Sequence, residues 1–456
     1  LILDALLSQS IRHGRLTVRY PDGRIASYGP AGGQEVGARI EDWQTVRRIA
    51  LSPSVGFGDA YMNGTLSPVG CTLYDLLDQM LSNAEAYPGL GTIERIRNRY
   101  NRARRRIAQY NPVPRARRNV AHHYDLDGQL YSLFLDEDRQ YSCAYFETGD
   151  ETLEEAQRAK KRHIASKLML DRPDLEVLDI GSGWGGMALT LARDHGCRVT
   201  GITLSVEQLH ASRARAEAAG LASRVRFELA DYRTVTRPYD RIVSVGMFEH
   251  VGVLHYDAFF AKVHALLRPG GVALLHAIGR ADGPAATGKW LEKYIFPGGY
   301  SPALSETFAA IERSGLWATD CEILRLHYAL TIAHWRARFA ANRERIVSLY
   351  DERFARMFEL YLTGCEITFR RRRHMNFQIQ LARQTDAVPL TRGYMTVRER
   401  ALRSAAGVLA QERVDQRLPL DANGVDGETL EDRRPVREEF GAQRLASFVH
   451  RETLDP

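Results

Sequence analysis

The stretch Val177-Leu178-Asp179-Ile180-Gly181-Ser182-Gly183-Trp184-Gly185-Gly186 decides the fold. It reads as a buried β-strand that enters a glycine turn and then a helix from Met187 to Arg193. Glycines at such a turn let the backbone approach a nucleotide closely, because no Cβ stands in the way. Gly181, Gly183 and Gly186 also satisfy the G-x-G-x-x-G spacing of dinucleotide sites, while a tight turn with no ligand is the bland alternative. Outward from this stretch, short β-branched runs alternate with helical ones: EVLDI, CRVTGI, RVRFELA, RIVSVG and GVALLHAI. The alternation predicts an α/β fold, a doubly wound, Rossmann-like sheet with helices on both faces.

Two details favour S-adenosylmethionine (SAM) over NAD. Asp179 lies just before the first glycine, a pattern that resembles motif I of SAM methyltransferases. The next strand ends in Gly201-Ile202-Thr203, where an NAD site would carry an acid to read the ribose. Beyond it, Thr203, Leu204 and Gln208 offer donors and acceptors suited to ribose or methionine groups, and Ser205 also reads as an ordinary helix N-cap. After the third strand, Asp231-Tyr232-Arg233 places a carboxylate and an aromatic face where an adenine would lie; a plain loop acid is the competing reading.

A chain of 456 residues, 44% hydrophobic and 26% charged, has material for two or three domains and excludes disorder, collagen-like repeats and disulfide-stapled miniproteins. No run is long and apolar enough to span a membrane, and the first residues lack the features of a signal peptide, so a cytoplasmic protein is expected. The five cysteines (Cys71, Cys143, Cys197, Cys321 and Cys365) form no Cys-x-x-Cys pair, which argues for reduced thiols. Net charge is only +6, but Arg95 to Arg118 is almost free of acids and ends in Pro-x-Pro. The expected domains are therefore a mainly helical N-terminal part (1–111), a linker (112–120), the α/β part (121–395) and a polar extension (396–456). Within the first, Trp43 to Ala60 and Leu73 to Leu81 show helical spacing, and the pattern from Leu330 through Gln380 also reads as helical and aromatic.

Five further segments carry a resemblance. His123-Tyr124-Asp125, Tyr141-Ser142-Cys143-Ala144-Tyr145-Phe146, Phe248-Glu249-His250-Val251-Gly252, Phe296-Pro297-Gly298-Gly299 and Tyr361-Leu362-Thr363-Gly364-Cys365 together closely resemble the cyclopropane fatty acid synthase family, including its mycolic acid relatives. The match covers roughly residues 120 to 395 in order; the N-terminal part resembles the phospholipid-acting members more loosely, and Ser182 stands where many members carry cysteine. The resemblance implies methyl transfer from SAM to the cis double bond of a phospholipid acyl chain, then proton loss and closure to a cyclopropane. It implies a bound bicarbonate as base, held by Glu249, His276, Tyr361 and backbone groups near Cys143 and Ile278, and it adds Tyr124, Tyr141 and Ser142 to the cofactor residues. It also implies a homodimer.

That chemistry needs a sealed apolar chamber, aligned reactants and electron-rich walls facing a transient cation. Tyr145, Phe146, Phe248, Phe296, Tyr300 and Phe369 are candidates for the walls, although aromatics at such spacings are often plain core. Glu249 acting itself as the base is the competing idea. A metal site built from Cys143, Glu249, His250 and His276 lacks any short ligand spacing, and a buried Cys143 would be a poor nucleophile. The arginine segment reads as a solvated face, a nucleic-acid contact or a contact with anionic head groups; beside a lipid-modifying domain the last is expected, giving a cytoplasmic enzyme peripheral to the inner face of the membrane, with no nucleic-acid partner. Arg370-Arg371-Arg372-Arg373 is a second candidate for gripping a lipid phosphate. Other outcomes are a methyl- or methylene-branched product, a non-catalytic lipid-binding protein, and an RNA or small-molecule methyltransferase.

Overall fold

The first strands of the chain make a small sheet that the sequence reading did not anticipate. In the computed structural model, which describes residues 2–86 and 128–415, β1 (Arg15–Arg19), β2 (Ile25–Tyr28), β3 (Glu35–Ile40) and β4 (Leu66–Val69) lie in the order β2-β1-β3-β4. Helices Ile2–Ser10, Trp43–Leu51, Pro53–Met62 and Leu73–Ala86 surround it. The expected helical run from Trp43 is two helices, because Asp42 caps the first by accepting from the Thr45 N–H and the Ser52-Pro53 step starts the second. The segment with Tyr124, the arginine run Arg95 to Arg118 and the expected linker at 112–120 lie outside the described residues.

The second sheet has seven strands: β5 (Glu176–Ile180), β6 (Arg198–Thr203), β7 (Val225–Leu229), β8 (Tyr239–Val245), β9 (Leu267–Arg280), β10 (Trp317–Leu324) and β11 (His374–Ala382). Their order is β10-β11-β9-β8-β5-β6-β7. β5 through β9 pair in parallel, whereas β11 runs against both β9 and β10. From β5 the chain builds outward to β6 and β7, then returns to place β8 on the other side of β5. This reversal of strand order opens a crevice at the carboxyl ends of β5 and β8, the place where ligands bind in such sheets.

The reading of residues 330–380 needs correction. Helices His327–Ala341, Arg343–Leu349 and Glu352–Arg371 are present, but β11 is an interior strand between β10 and β9. Its residues alternate: Asn376, Gln378 and Gln380 point to one face and Phe377, Ile379 and Leu381 to the other, all buried. A period of two fits a pleated strand and would scatter those side chains around a helix.

Residues up to Ser404 form one compact unit, and those from Ala405 onward belong to a second; helix Gly393–Asp415 runs through the expected boundary near Met395. Within the first unit one apolar cluster joins Leu3, Leu16, Phe57 and Leu77 of the N-terminal elements to Phe134, Trp335, Phe358 and Tyr361. The small sheet and its helices thus share a core with the α/β part. No helix among the described residues is long and apolar enough to cross a membrane.

Candidate active site

Strand β5 delivers Asp179 to the crevice, and the turn after it is as tight as the glycines allow. Gly181 sits at φ +83°, and a Cβ there would stand 2.8 Å from Cβ of Met247. Gly183, at φ +53°, would project a Cβ into open space, so that stretch of backbone lies bare to the pocket. Burial pushes Asp179 up to about 7, and its Oδ2 has no hydrogen-bond partner. An orphaned acceptor at this depth marks a place for a donor from a ligand.

The pocket above the turn is lined by Tyr141, Ser142, Asp179, Gly181, Gly183, Thr203, Leu204, Gln208, Asp231, Tyr232 and Arg233. All the cofactor residues expected from the sequence and lying within the described residues are thus in one place. Thr203 donates to Gln208 Oε1 at 2.8 Å, while Ser205 accepts from the Gln208 N–H at 3.3 Å and caps the helix, so its N-cap reading holds. Asp231 is gripped by Arg233 through Nε at 2.8 Å and Nη2 at 2.7 Å, which fixes the carboxylate. Gln140, Trp184, Met247 and His250 also line this pocket and were not expected there. Backbone NH groups, an acid and a planar aromatic suit a polar nucleoside with an apolar base, and these residues fit SAM.

A second cavity of about 1380 Å³ adjoins the first, sharing Tyr141, Ser142, Gly246 and His250 as wall. Its surface is mostly apolar, and much of it comes from the N-terminal elements: Leu3, Leu7, Phe57, Leu77 and Met80. Cys143, Glu249, His276, Ile278 and Tyr361 all line it, so five positions scattered over more than 200 residues of sequence meet in one chamber. Of the six aromatics considered as walls, Phe296, Tyr300 and Phe369 line it. Phe248 instead stacks on Tyr256 in the core, Tyr145 lies against His163 and His327, and Phe146 stacks on His334.

Glu249 lies on the short turn Phe248–His250 after β8. The Ile278 N–H donates to its Oε1 at 2.6 Å, and its Oε2 is buried with no partner. Burial raises this carboxyl to about 7, poised between its two protonation states. The Ile278 N–H is therefore already engaged in positioning Glu249. His276, on β9, lies with Nδ1 3.1 Å from Gln378 Nε2 and is held neutral by burial and by nearby cations. The hydroxyls of Tyr141 and Tyr361 meet at 2.8 Å across the boundary of the two cavities, and burial keeps Tyr361 protonated. The Cys143 thiol, likewise buried, is pushed up and remains a thiol. The chamber therefore combines neutral donors with one carboxyl that can change state.

Several residues that sequence reasoning passed over build this site. Lys160 is fully buried; its ammonium donates to Gln140 Oε1 at 2.6 Å and Ser142 Oγ at 2.9 Å, tying down the loop between the cavities. Burial lowers it to about 8. In the sequence AQRAKKRHIASK this lysine reads as part of a solvated charge run, and only its helical spacing to Lys167 hints at a shared buried face. Of the run Arg370 to Arg373, Arg370 pairs with Glu366 and Arg371 with Asp78, while Arg372 lines the large cavity together with Arg12 and Lys289. Among the described residues no group of three or more His, Cys, Asp or Glu is placed to hold a metal ion.

A strand-order crevice with a glycine turn and a buried acid, opening into an apolar chamber, defines a SAM-dependent methyltransferase whose acceptor is lipid-like. Comparison with known proteins gives the family. Residues 113–379 match the family described as mycolic acid cyclopropane synthetase, and the chain belongs to it. It is 36% identical over 345 residues to the cyclopropane-fatty-acyl-phospholipid synthase of Escherichia coli K12, covering 76% of this chain and 87% of that protein. It is 41% identical over 258 residues to a probable fatty acid methyltransferase of Pseudomonas putida, covering 55% of this chain and 65% of that protein's length. Among solved structures, the mycolic acid cyclopropane synthase CmaA1 complexed with SAH and CTAB superposes with a TM-score of 0.56 at 34% identity, covering 60% of this chain and 99% of that one. The family fixes the enzyme class as SAM-dependent methyl transfer to lipid.

Proposed function

We propose that the chain converts the cis double bond of an unsaturated phospholipid acyl chain into a cyclopropane, with bicarbonate as the base. The observation that carries this reading is the junction of the two cavities: a polar nucleoside pocket opens into an apolar chamber where Glu249, His276 and Tyr361 converge. SAM, when bound, supplies an electrophilic methyl group. The chain's own part is to hold acceptor and donor in line, exclude water and receive one proton.

Bicarbonate fits the donors present. Glu249 Oε2, lacking a partner, would accept from the hydroxyl of the ion, and His276 and Tyr361 would donate to its other oxygens. Held by these residues, bicarbonate would supply the base for the proton whose loss closes the ring. Phe296, Tyr300 and Phe369, which line the cavity, would supply aromatic surface to the positive charge that precedes closure. Arg372, Lys289 and Arg12, which line the cavity, are positioned to meet a lipid phosphate, and with the arginine run 95–118 they support attachment at an anionic membrane surface, peripheral and on the cytoplasmic side. Tyr124 joins the cofactor residues, and a homodimer is part of the same proposal.

A second reading is favoured by the Pseudomonas putida relative, named a fatty acid methyltransferase. It keeps the site and changes the product to a methyl or methylene branch. Mass spectrometry of lipids after incubation with SAM and monounsaturated phospholipid vesicles tests both. A gain of one methylene with loss of the olefin signal is expected; a branched product selects the second reading, and unmodified lipid sinks both. Rigorous removal of carbon dioxide should slow turnover, and an unchanged rate would assign the base to Glu249.

A further inference from the structure

Behind the site, a buried cation reaches His276 through a single side chain. The register of β11 against β9 sets Gln378 directly opposite His276. Lys167, only 1% exposed, donates from Nζ to Gln378 Oε1 at 2.7 Å, and Gln378 Nε2 lies 3.1 Å from His276 Nδ1. The other contact of Lys167 is the Glu322 carboxylate, which also meets His163 Nε2 at 2.6 Å. These two basic neighbours hold Glu322 well below its usual range; burial lowers Lys167, and its contact with this carboxylate opposes that and favours the ammonium.

An ammonium has donors and no acceptor. Gln378 must therefore turn its oxygen to Lys167 and its N–H to His276, and an N–H facing Nδ1 requires a lone pair there. In the neutral ring the proton then sits on Nε2. The far side of the ring accommodates this tautomer once one amide is reoriented. Asn376 Nδ2 lies 3.5 Å from His276 Nε2, two nitrogens facing each other, while Asn376 Oδ1 is buried without a partner. Exchanging the two ends of that amide sets its oxygen opposite Nε2 at 3.5 Å, a contact that suits an Nε2–H yet is long enough to leave that donor for a closer acceptor. The charged groups around the ring are Lys160, Lys167, His163 and Glu322, and burial together with the three basic groups keeps it neutral.

We propose that Lys167, acting through Gln378, is a positioning residue that fixes His276 as the Nε2–H tautomer and aims that N–H into the cavity as a donor to an oxyanion. The use of the proton rests on the functional reading given above; the tautomer does not. The glutamine relay separates the ammonium from the chamber, so the site gains a fixed donor without a full positive charge beside a developing carbocation.

Nitrogen-15 NMR of the full chain with labelled histidine, without SAM or lipid, tests this, with the His276 signals assigned by their loss in His276→Gln. The expected result is an unprotonated Nδ1 and a protonated Nε2, unchanged in Lys167→Arg. Lys167→Met should give a mixture of tautomers and lower kcat by about tenfold with SAM affinity intact. Gln378→Glu should move the proton to Nδ1, and it decides the matter where Lys167→Met fails to fold. An Nδ1–H ring in the unaltered protein, or a tautomer indifferent to both substitutions, overturns the proposal. Because the resting protein is measured, an Nε2–H ring in a chain that makes no modified lipid would sink the functional reading and leave this inference standing.

Discussion

The cofactor pocket and the acyl cavity are neighbours built by opposite means. The pocket takes much of its wall from successive strand ends, with Asp179, Thr203 and Asp231 each close to the end of its own strand. The cavity takes its wall from Leu7, Met80, Glu249, His276 and Tyr361, which meet only after the N-terminal helices pack on helix Glu352–Arg371. One site is set by backbone conformation within short stretches, the other by long-range packing. Damage to one should therefore leave the other measurable.

The largest separation is expected from Glu249→Gln. Turnover should fall by about a thousandfold or more, the scale of general acid–base catalysis, while SAM titrates as in the unaltered protein; wild-type rates would remove Glu249 from the chemistry. Gly181→Val acts on the other side. It places a β-branched residue at φ +83° with Cβ against Met247, and a strain of about 2–3 kcal/mol corresponds to roughly a hundredfold weaker SAM binding by calorimetry. Undiminished SAM affinity would mean that the turn is not the cofactor's seat. Met80→Arg puts a charge in the acyl wall and should cost about tenfold in lipid turnover at unchanged SAM affinity, since burying an unpaired charge disfavours an apolar chain beside it. Equal losses in both measurements would dissolve the division between the two regions.

A further effect is on stability, not on binding or turnover. Glu249 ordinarily titrates at 4.5 and in the fold at about 7, because burial penalises its charge. Below pH 4.5 both folded and unfolded chains carry the proton and its burial adds no pH-dependent cost; as pH rises to about 7 that stability is lost, up to roughly 3 kcal/mol. Glu249→Gln should therefore melt progressively higher than the unaltered protein as pH goes from 5 to 8. A constant difference across that range would place the carboxylate in a better solvated setting.

The same contrast explains what reading the sequence can recover. Gly181, Gly183 and Asp179 are legible because a sharp turn after a buried strand constrains residue type locally. The small N-terminal sheet is not, since four short strands leave only a few alternating positions each. β11 carried a usable signal in Asn376, Gln378 and Gln380 alternating with apolar residues, but the long helix before it and the aromatics around it favoured a helical period. Lys160 and Lys167 look like surface residues until their partners on β11 and the loop at Gln140 are known.

By itself, then, the amino-acid order determined the doubly wound sheet, the residues gathered at its crevice and, through the matched segments, the family. Only the tertiary structure decided that Leu3, Phe57 and Met80 wall the apolar chamber, which aromatics line it, and that Lys167 reaches His276 through Gln378. The physical reason is range. Turn geometry and strand burial act over a few residues and leave their mark in adjacent letters, whereas a cavity and a buried hydrogen-bond chain exist only between segments that the sequence keeps far apart.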